Sequence, residues 1–270
     1  MVAGASARGV RGRILDLMFV RGRIEEVRPA PGRMRWIRVG GVPGLAWTPG
    51  QQIRLHVADI TATRTWVSGA VRHALRTYSV WDYDADAGVL ELCVMDHDAD
   101  APGVRWLRNA RPGQEVVFGK PEGTFGLRPA AYHVFAGEET ASVAFGAMLR
   151  ALDGLDGLDG RGGGPEPAGR GGLVPVHGVI EVARPEDRLP LPRGDELTWR
   201  HRGDAPAGRS ETLVDAVRGL KLPEEPGVAY VAGEARTVQA VRAHLVGERG
   251  WPRKSVLVKP FWTPGKRGME

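Results

Sequence analysis

Apolar positions in the first 130 residues recur with a period of two in short runs, at 34–39, 51–57, 78–83, 89–95 and 114–118, each rich in β-branched and aromatic side chains. Turn residues separate them: Pro31-Gly32, Pro43-Gly44, Pro49-Gly50, Pro102-Gly103 and Pro112-Gly113. Short strands punctuated in this way predict a small antiparallel β-barrel. One short helix is expected over 104–110, opened by Pro102-Gly103 and stopped by Arg111-Pro112-Gly113.

From Ala131 the pattern alternates between strand and helix. Strands are predicted at 132–135, 174–182, 197–201, 228–232 and 255–261, and helices at 139–152, 211–219 and 235–248. Such alternation predicts a parallel sheet covered by helices. The fold class is therefore two-domain, an N-terminal antiparallel β-barrel over 1–128 followed by an α/β domain with a parallel sheet over 129–270. Residues 153–172 hold repeated Leu-Asp-Gly steps and then a Gly/Pro/Arg stretch, which predicts a mobile surface insertion from Asp153 to Gly172. Its aspartates lack the bidentate Glu partner of a calcium loop.

Composition narrows the class. With 42% hydrophobic and 26% charged residues the chain is globular, not disordered. No stretch approaches the roughly 20 apolar residues of a membrane helix, and the apolar run at 14–20 is broken by Asp16 and flanked by arginines. The expectation is a cytoplasmic protein with no membrane partner. Cys93 is the single cysteine, and the seven histidines show no metal-ligand spacing, so no metal is expected. Net charge is +5, and its excess sits in residues 1–128, with 18 Lys+Arg against 13 Asp+Glu; the remainder is balanced at 19 against 19. This points to an anionic partner in the first half, either a nucleic acid or a phosphate-bearing ligand.

The most specific signal in the barrel is Arg76-Thr77-Tyr78-Ser79. Strand alternation puts Arg76 and Tyr78 on one face and Thr77 and Ser79 on the other, unless a bend or bulge intervenes. Downstream, Ala101-Pro102-Gly103-Val104-Arg105-Trp106 is a glycine turn opening a helix, whose free N–H groups suit a phosphate. Taken singly, an exposed Arg/Tyr pair and a plain helix start with Trp106 in the core explain the same residues.

In order along the chain, RTYS, GVRWL, NARPGQEVVFGKPEGTF, YHVFAGEETA, LTWRHRG, YVAGEARTVQAVRAHLVGERGWPRKSV and a C-terminal FW resemble the siderophore-interacting protein family, over about residues 49–262. These are FAD-dependent ferric-siderophore reductases of the ferredoxin-NADP reductase superfamily. The resemblance implies a flavin-binding barrel and a nicotinamide-binding α/β domain. It places Arg76 on a flavin phosphate, Tyr78 by the isoalloxazine or ribityl chain and Ser79 toward flavin N5. His97, Gly103, Val104 and Arg105 would wrap the pyrophosphate, and Gly123, Thr124 and Phe125 would close the barrel over the cofactor. Trp81 stands where the family usually carries arginine and would stack on an aromatic part of the cofactor.

In the second domain, Gly137, Glu138, Glu139, Thr140 and Ala141 resemble the family's GDETA segment, with Thr140 also able to cap the helix. Gly233 and Glu234 resemble its AGE block facing the nicotinamide. GxGxxG is absent, as in this superfamily. Arg184, Arg200 and Arg202 are alternative holders of a 2′-phosphate, which leans the donor toward NADPH over NADH. Trp262 would lie near the flavin. Thr263 follows it in place of the usual arginine, so the substrate cations become Lys259, Lys266 and Arg267, in a basic rim with Arg72 and Arg105.

The implied activity passes hydride from NAD(P)H to FAD and then single electrons to Fe(III), releasing Fe(II) from a ferric siderophore. The protein is expected to act as a monomer with no catalytic acid, base or nucleophile and no nucleic acid partner. The alternatives are a related flavin oxidoreductase with another electron acceptor, or a basic β-barrel that binds nucleic acid.

Overall fold

The computed structural model describes residues 19–57, 75–97, 100–156 and 173–265. The chain divides into two compact units, Met1–Thr124 and Phe125–Glu270.

The first unit is a closed six-stranded antiparallel barrel in the order β1-β2-β5-β4-β3-β6. Its strands are β1 (Phe19–Pro29), β2 (Met34–Gly40), β3 (Gln52–His56), β4 (Leu75–Asp84), β5 (Val89–Met95) and β6 (Glu115–Gly119). β1 is an addition to the strands read from sequence. Its exposed face carries Arg21, Arg23 and Glu25, and only Gly22 and Ile24 are buried, so the hydrophobic signal is thin. Bulges at Ile24/Glu26 in β1 and Val80/Asp82 in β4 bend these strands round the barrel. Ile37, Ile53, Leu55, Leu90, Leu92 and Phe118 fill the interior. Between β5 and β6 runs α1 (Pro102–Asn109), which packs Val104, Trp106 and Leu107 inward. Proline at the first helical position suits the start because its missing N–H would be unpaired there anyway.

The second unit holds a parallel sheet in the order β11-β10-β7-β8-β9. In chain order it runs β7 (His133–Glu138), α2 (Ser142–Asp156), β8 (Val176–Val182), β9 (Thr198–His201), α3 (Glu211–Arg218), β10 (Val228–Glu234), α4 (Ala235–Ala243) and β11 (Val256–Trp262). β7 and β10 are buried on both faces and so read as continuous apolar runs. One face, with Phe135, Ile180 and Tyr230, packs on Phe145, Met148 and Leu149 of α2. The other, with Val134, Val179 and Val231, packs on Leu213 and Val217 of α3 and Val238 and Val241 of α4.

Two predicted spans change. The helix expected over 235–248 passes at His244–Glu248 into a π-turn. Asp153–Asp156, assigned to the insertion, is the last turn of α2, and the rest of that segment lies outside the described residues.

The chain builds β7, β8 and β9 outward in one direction, then returns to place β10 and β11 on the other side of β7. The connections therefore diverge between β7 and β10, and the crevice above the carboxyl ends of these strands is where open α/β sheets take their ligands.

Candidate functional site

Two groups of the expected residues form, one in each unit. In the barrel, β4 pairs with β3 so that Arg76 lies opposite Leu55, Tyr78 opposite Ile53 and Ser79 opposite Gln52. A Cβ on Gly103 would lie 2.8 Å from the Tyr78 hydroxyl oxygen and 3.2 Å from Cγ of Arg76, so both side chains face the start of α1 and glycine allows the close approach. Thr77 is exposed. Ser79 Oγ accepts a hydrogen bond from the buried Gln52 amide at 3.4 Å, a neighbour the sequence does not single out. The Tyr78 ring stacks with Trp106 at 6.2 Å. Burial pushes its hydroxyl up to about 12 against a smaller opposing effect of Arg76, so it stays a neutral donor.

No side chain caps α1, and no acid stands in its first turn. Arg105 N–H, bonded to Ala101 O, begins the helical ladder. The amides of Gly103 and Val104 precede it, in the helix's positive end. The Val104 side chain is buried, so only its amide can serve a ligand. A guanidinium, a phenol and amides at an uncapped helix start form a donor set that fits a diphosphate-bearing flavin.

Other expected contacts are placed elsewhere. Arg105 is exposed and meets Asp100 at 3.0 Å. His97 is exposed, and its carbonyl accepts from Arg108 at 3.1 Å. Trp81 is buried edge-on against Trp36 at 4.8 Å, so it is a core residue and not a stacking platform for a cofactor. Gly123 and Thr124 are exposed, whereas Phe125 is buried against Tyr230 in the core of the second unit, so its ring does not cover a cofactor. The arginine excess is also partly absorbed, in pairs that include Arg21–Glu115, Arg38–Glu25 and Arg54–Glu122, with Arg35 and Arg108 both on Asp96.

In the second unit, Glu138 ends β7 with its carboxyl buried. Its Oε2 accepts from Thr140 N at 2.8 Å, and its Oε1 accepts from Thr140 Oγ1 and from Trp262 Nε1, the latter at 2.9 Å. Burial first, and Glu139 second, push this carboxyl up to about 7 against the hydrogen bonds that favour its charge. The Thr140 hydroxyl is thus spent as a donor to Glu138. Gly137 is buried in β7 against Ala141 and Ala232. Gly233 has φ +125, and a Cβ there would lie 2.6 Å from Glu138 Oε1. Glu234 is the buried cap of α4, its Oε2 accepting from the amides of Arg236 and Thr237, each at 3.0 Å.

The three phosphate-holding candidates separate. Arg202 is almost buried and forms a bidentate pair with Glu139, with Glu181 3.9 Å away, so it is a structural cation and not a free phosphate ligand. Arg184 pairs with Asp204 at 3.2 Å, and Arg200 is exposed. Glu181, unanticipated, is fully buried and accepts from Ser210, which also caps α3 through Leu213 N at 3.1 Å. No local signal reveals that pair, because its partners lie 29 residues apart. Among the substrate cations, Lys259 is partly buried on β11 opposite Ala232. Lys266, Arg267 and Arg72 lie outside the described residues. No group of three or more His, Cys, Asp or Glu among the described residues could hold a metal. No helix among them is long and apolar enough to cross a membrane.

Comparison with known proteins covers both units. A family model described as the siderophore-interacting FAD-binding domain matches residues 45–125, and one described as siderophore-interacting protein matches residues 130–265. An uncharacterized protein of Mycobacterium tuberculosis is 30% identical over 210 residues, 73% of this chain and 68% of that protein. The ferric vibriobactin reductase ViuB of Vibrio cholerae is 27% identical over 194 residues, 71% of this chain and 65% of that protein. Among solved structures, the siderophore-interacting protein SipS of Aeromonas hydrophila superposes with a TM-score of 0.71 at 22% identity, covering 93% of each chain.

Proposed function

The chain belongs to the siderophore-interacting protein family, and from that premise we propose that it is a flavin oxidoreductase using FAD and a pyridine nucleotide, which reduces ferric siderophores to release Fe(II). The observation that carries the reading is the meeting of Arg76 and Tyr78 with the uncapped start of α1, where Gly103 leaves no side chain in the way.

In this reading Arg76 and the amides of Gly103 and Val104 hold the flavin diphosphate, and Tyr78 fixes the chain beyond it through its neutral hydroxyl. Ser79, on the other face of β4 beside Gln52, is the residue that the family resemblance would set toward flavin N5. FAD, when bound, supplies the conversion of a two-electron hydride into single electrons, which nicotinamide alone cannot perform. The pyridine nucleotide lies in the crevice between β7 and β10, beside Gly137, Glu138 and Gly233. Arg200 and Arg184 are the cations left to meet a 2′-phosphate, since Arg202 is committed to Glu139.

The substrate half of the reaction needs no acid or base. Hard hydroxamate or catecholate oxygens hold Fe(III) far better than Fe(II), so one electron loosens the complex without breaking the ligand. Each nucleotide gives up two electrons, reduces two ferric complexes and leaves as the oxidised nucleotide with one proton released. Arg105 in the first unit and Lys259 in the second are each described cations that would attract an anionic complex.

The test is anaerobic turnover with NADH or NADPH and a ferric hydroxamate or catecholate, with Fe(II) trapped by a chromogenic chelator. Two Fe(II) per nucleotide oxidised supports the reading. Oxidation of the nucleotide that proceeds only with oxygen or ferredoxin, and yields no Fe(II), would assign another acceptor.

A further inference from the structure

The first unit carries a second cluster of arginines, none of which belongs to the group around Tyr78 and Gly103. After β1 the chain turns through Pro31 and Gly32, whose φ of +62 suits glycine, and the Ala30 amide donates to Met34 O at 3.0 Å to close a hairpin. β2 then pairs with β5 so that Arg35 lies opposite Val94, a residue of the barrel interior, and the Asp96 amide donates to Arg33 O at 2.7 Å. Between this hairpin, the end of β5 and the last turn of α1 lies a cleft of about 510 Å³. Val27, Pro29, Ala30 and Met34 give it an apolar wall. Among its described lining residues, four guanidiniums, of Arg28, Arg33, Arg35 and Arg108, stand with one carboxylate, Asp96. Glu26, 3.9 Å from Arg28, adds a second carboxylate beside the cleft, so the cations still prevail.

We propose that this cleft is a second anion site, separate from the flavin site, and that it takes an organic polyphosphate of about nucleotide size. The inference goes beyond the reductase reading and stands on the geometry of the first unit alone. Its guanidiniums are ordered in advance of a ligand. Arg28 lies over the Trp36 ring at 5.1 Å, and Asp96 pairs with Arg108 at 2.8 Å and with Arg35 at 3.5 Å. A site arranged in this way loses less side-chain freedom on binding. The hydrogen bond from Arg108 first, then the charges of Arg108, Arg35 and Arg33, hold the Asp96 carboxyl below the usual carboxylate range against the opposing effect of burial, so it serves as an ionised anchor. The forks come from both the hairpin and α1, which suits the oxygens of linked phosphate groups, whereas one planar carboxylate engages a single fork. The volume is that of a small-molecule pocket, so inorganic phosphate would leave most of it, and the apolar wall, unused. A phosphate ester with a ring or hydrocarbon portion meets both surfaces.

The test is calorimetric titration of the full chain, in saturating FAD, with uridine diphosphate, which is a fragment of neither FAD nor a pyridine nucleotide. Binding is expected in the wild type, and excess NAD+ or NADP+ is expected to leave its Kd unchanged. Arg28→Gln and Arg33→Gln, both at exposed positions, and Arg108→Gln are each expected to raise that Kd about tenfold, the loss of one charge-assisted contact. Flavin content is expected to stay at the wild-type level in all three. Arg108→Gln also deprives Asp96 of a partner; if it does not fold, the two exposed variants carry the comparison. No binding at millimolar uridine diphosphate, a Kd that the substitutions leave unchanged, or displacement by the pyridine nucleotides overturns the site. Citrate binding as tightly as uridine diphosphate overturns its assignment to phosphate. If the protein takes up no FAD, the reductase reading falls, and the effect of the three substitutions on the Kd still decides whether the cleft binds the anion.

Discussion

Arg76 and Arg202 are the same residue type in similar motif positions, yet their surroundings give them opposite roles. Arg76 faces the open start of a helix, so Arg76→Ala should weaken FAD binding by at least about tenfold, the loss of one charge-assisted contact to phosphate. Flavin absorbance per protein after dialysis would measure it. Arg202→Ala should leave flavin content unchanged but cost about 3 kcal/mol of stability, because it strands the part-buried carboxylate of Glu139 and the buried one of Glu181. Equal flavin retention in the two variants would remove Arg76 from the phosphate role. The difference shows which residues the sequence makes legible. Arg76 and Tyr78 share a face through strand alternation alone, and that is local. The burial of Trp81, Phe125 and Arg202 is not legible locally, because their partners Trp36, Tyr230 and Glu139 lie 45, 105 and 63 residues away.

At the scale of elements, strand and helix positions follow from periodicity, and their ends follow from caps. Ser210 caps α3 and also donates to Glu181, so Ser210→Ala should cost about 1–2 kcal/mol in chemical denaturation, the range for losing a cap or a buried hydrogen bond. Gly233→Ala should cost more, about 2–3 kcal/mol, since it combines a positive φ with a collision on Glu138. β1 escaped the reading because its outward residues are charged and its inward ones are few, leaving little contrast in hydrophobicity. The π-turn after α4 has no sequence signal: the residues 244–248 continue a helical pattern, and tertiary packing of Leu245 and Trp251 decides the local winding.

Across the whole molecule, pH acts on buried groups of opposite sign. His133 is buried in the sheet beside Tyr230, and burial, with Arg193 second, lowers it from 6.5 to about 4. The unfolded chain takes up that proton first, so the stability from neutral His133 is complete above about 6.5 and is lost as pH falls toward 4. Glu138 runs the other way. Its folded value of about 7 lies above the unfolded 4.5, so its contribution is present in acid and is lost as pH rises through 7. The two effects oppose each other between 4.5 and 6.5. Denaturation midpoints of the wild type should therefore be nearly flat in that window, whereas Glu138→Gln should lose stability steadily below 6.5; parallel curves would contradict the shift assigned to Glu138.

One optical experiment addresses both the flavin site in the barrel and the reduction of a ferric chelate. The purified protein, reconstituted with FAD, is titrated anaerobically with NADPH or NADH and then with a ferric siderophore while the visible spectrum is recorded. The flavin band is expected to bleach with the nucleotide and to return with the iron complex. A protein that takes up no FAD, or a bleached flavin that the iron complex leaves reduced, would contradict this.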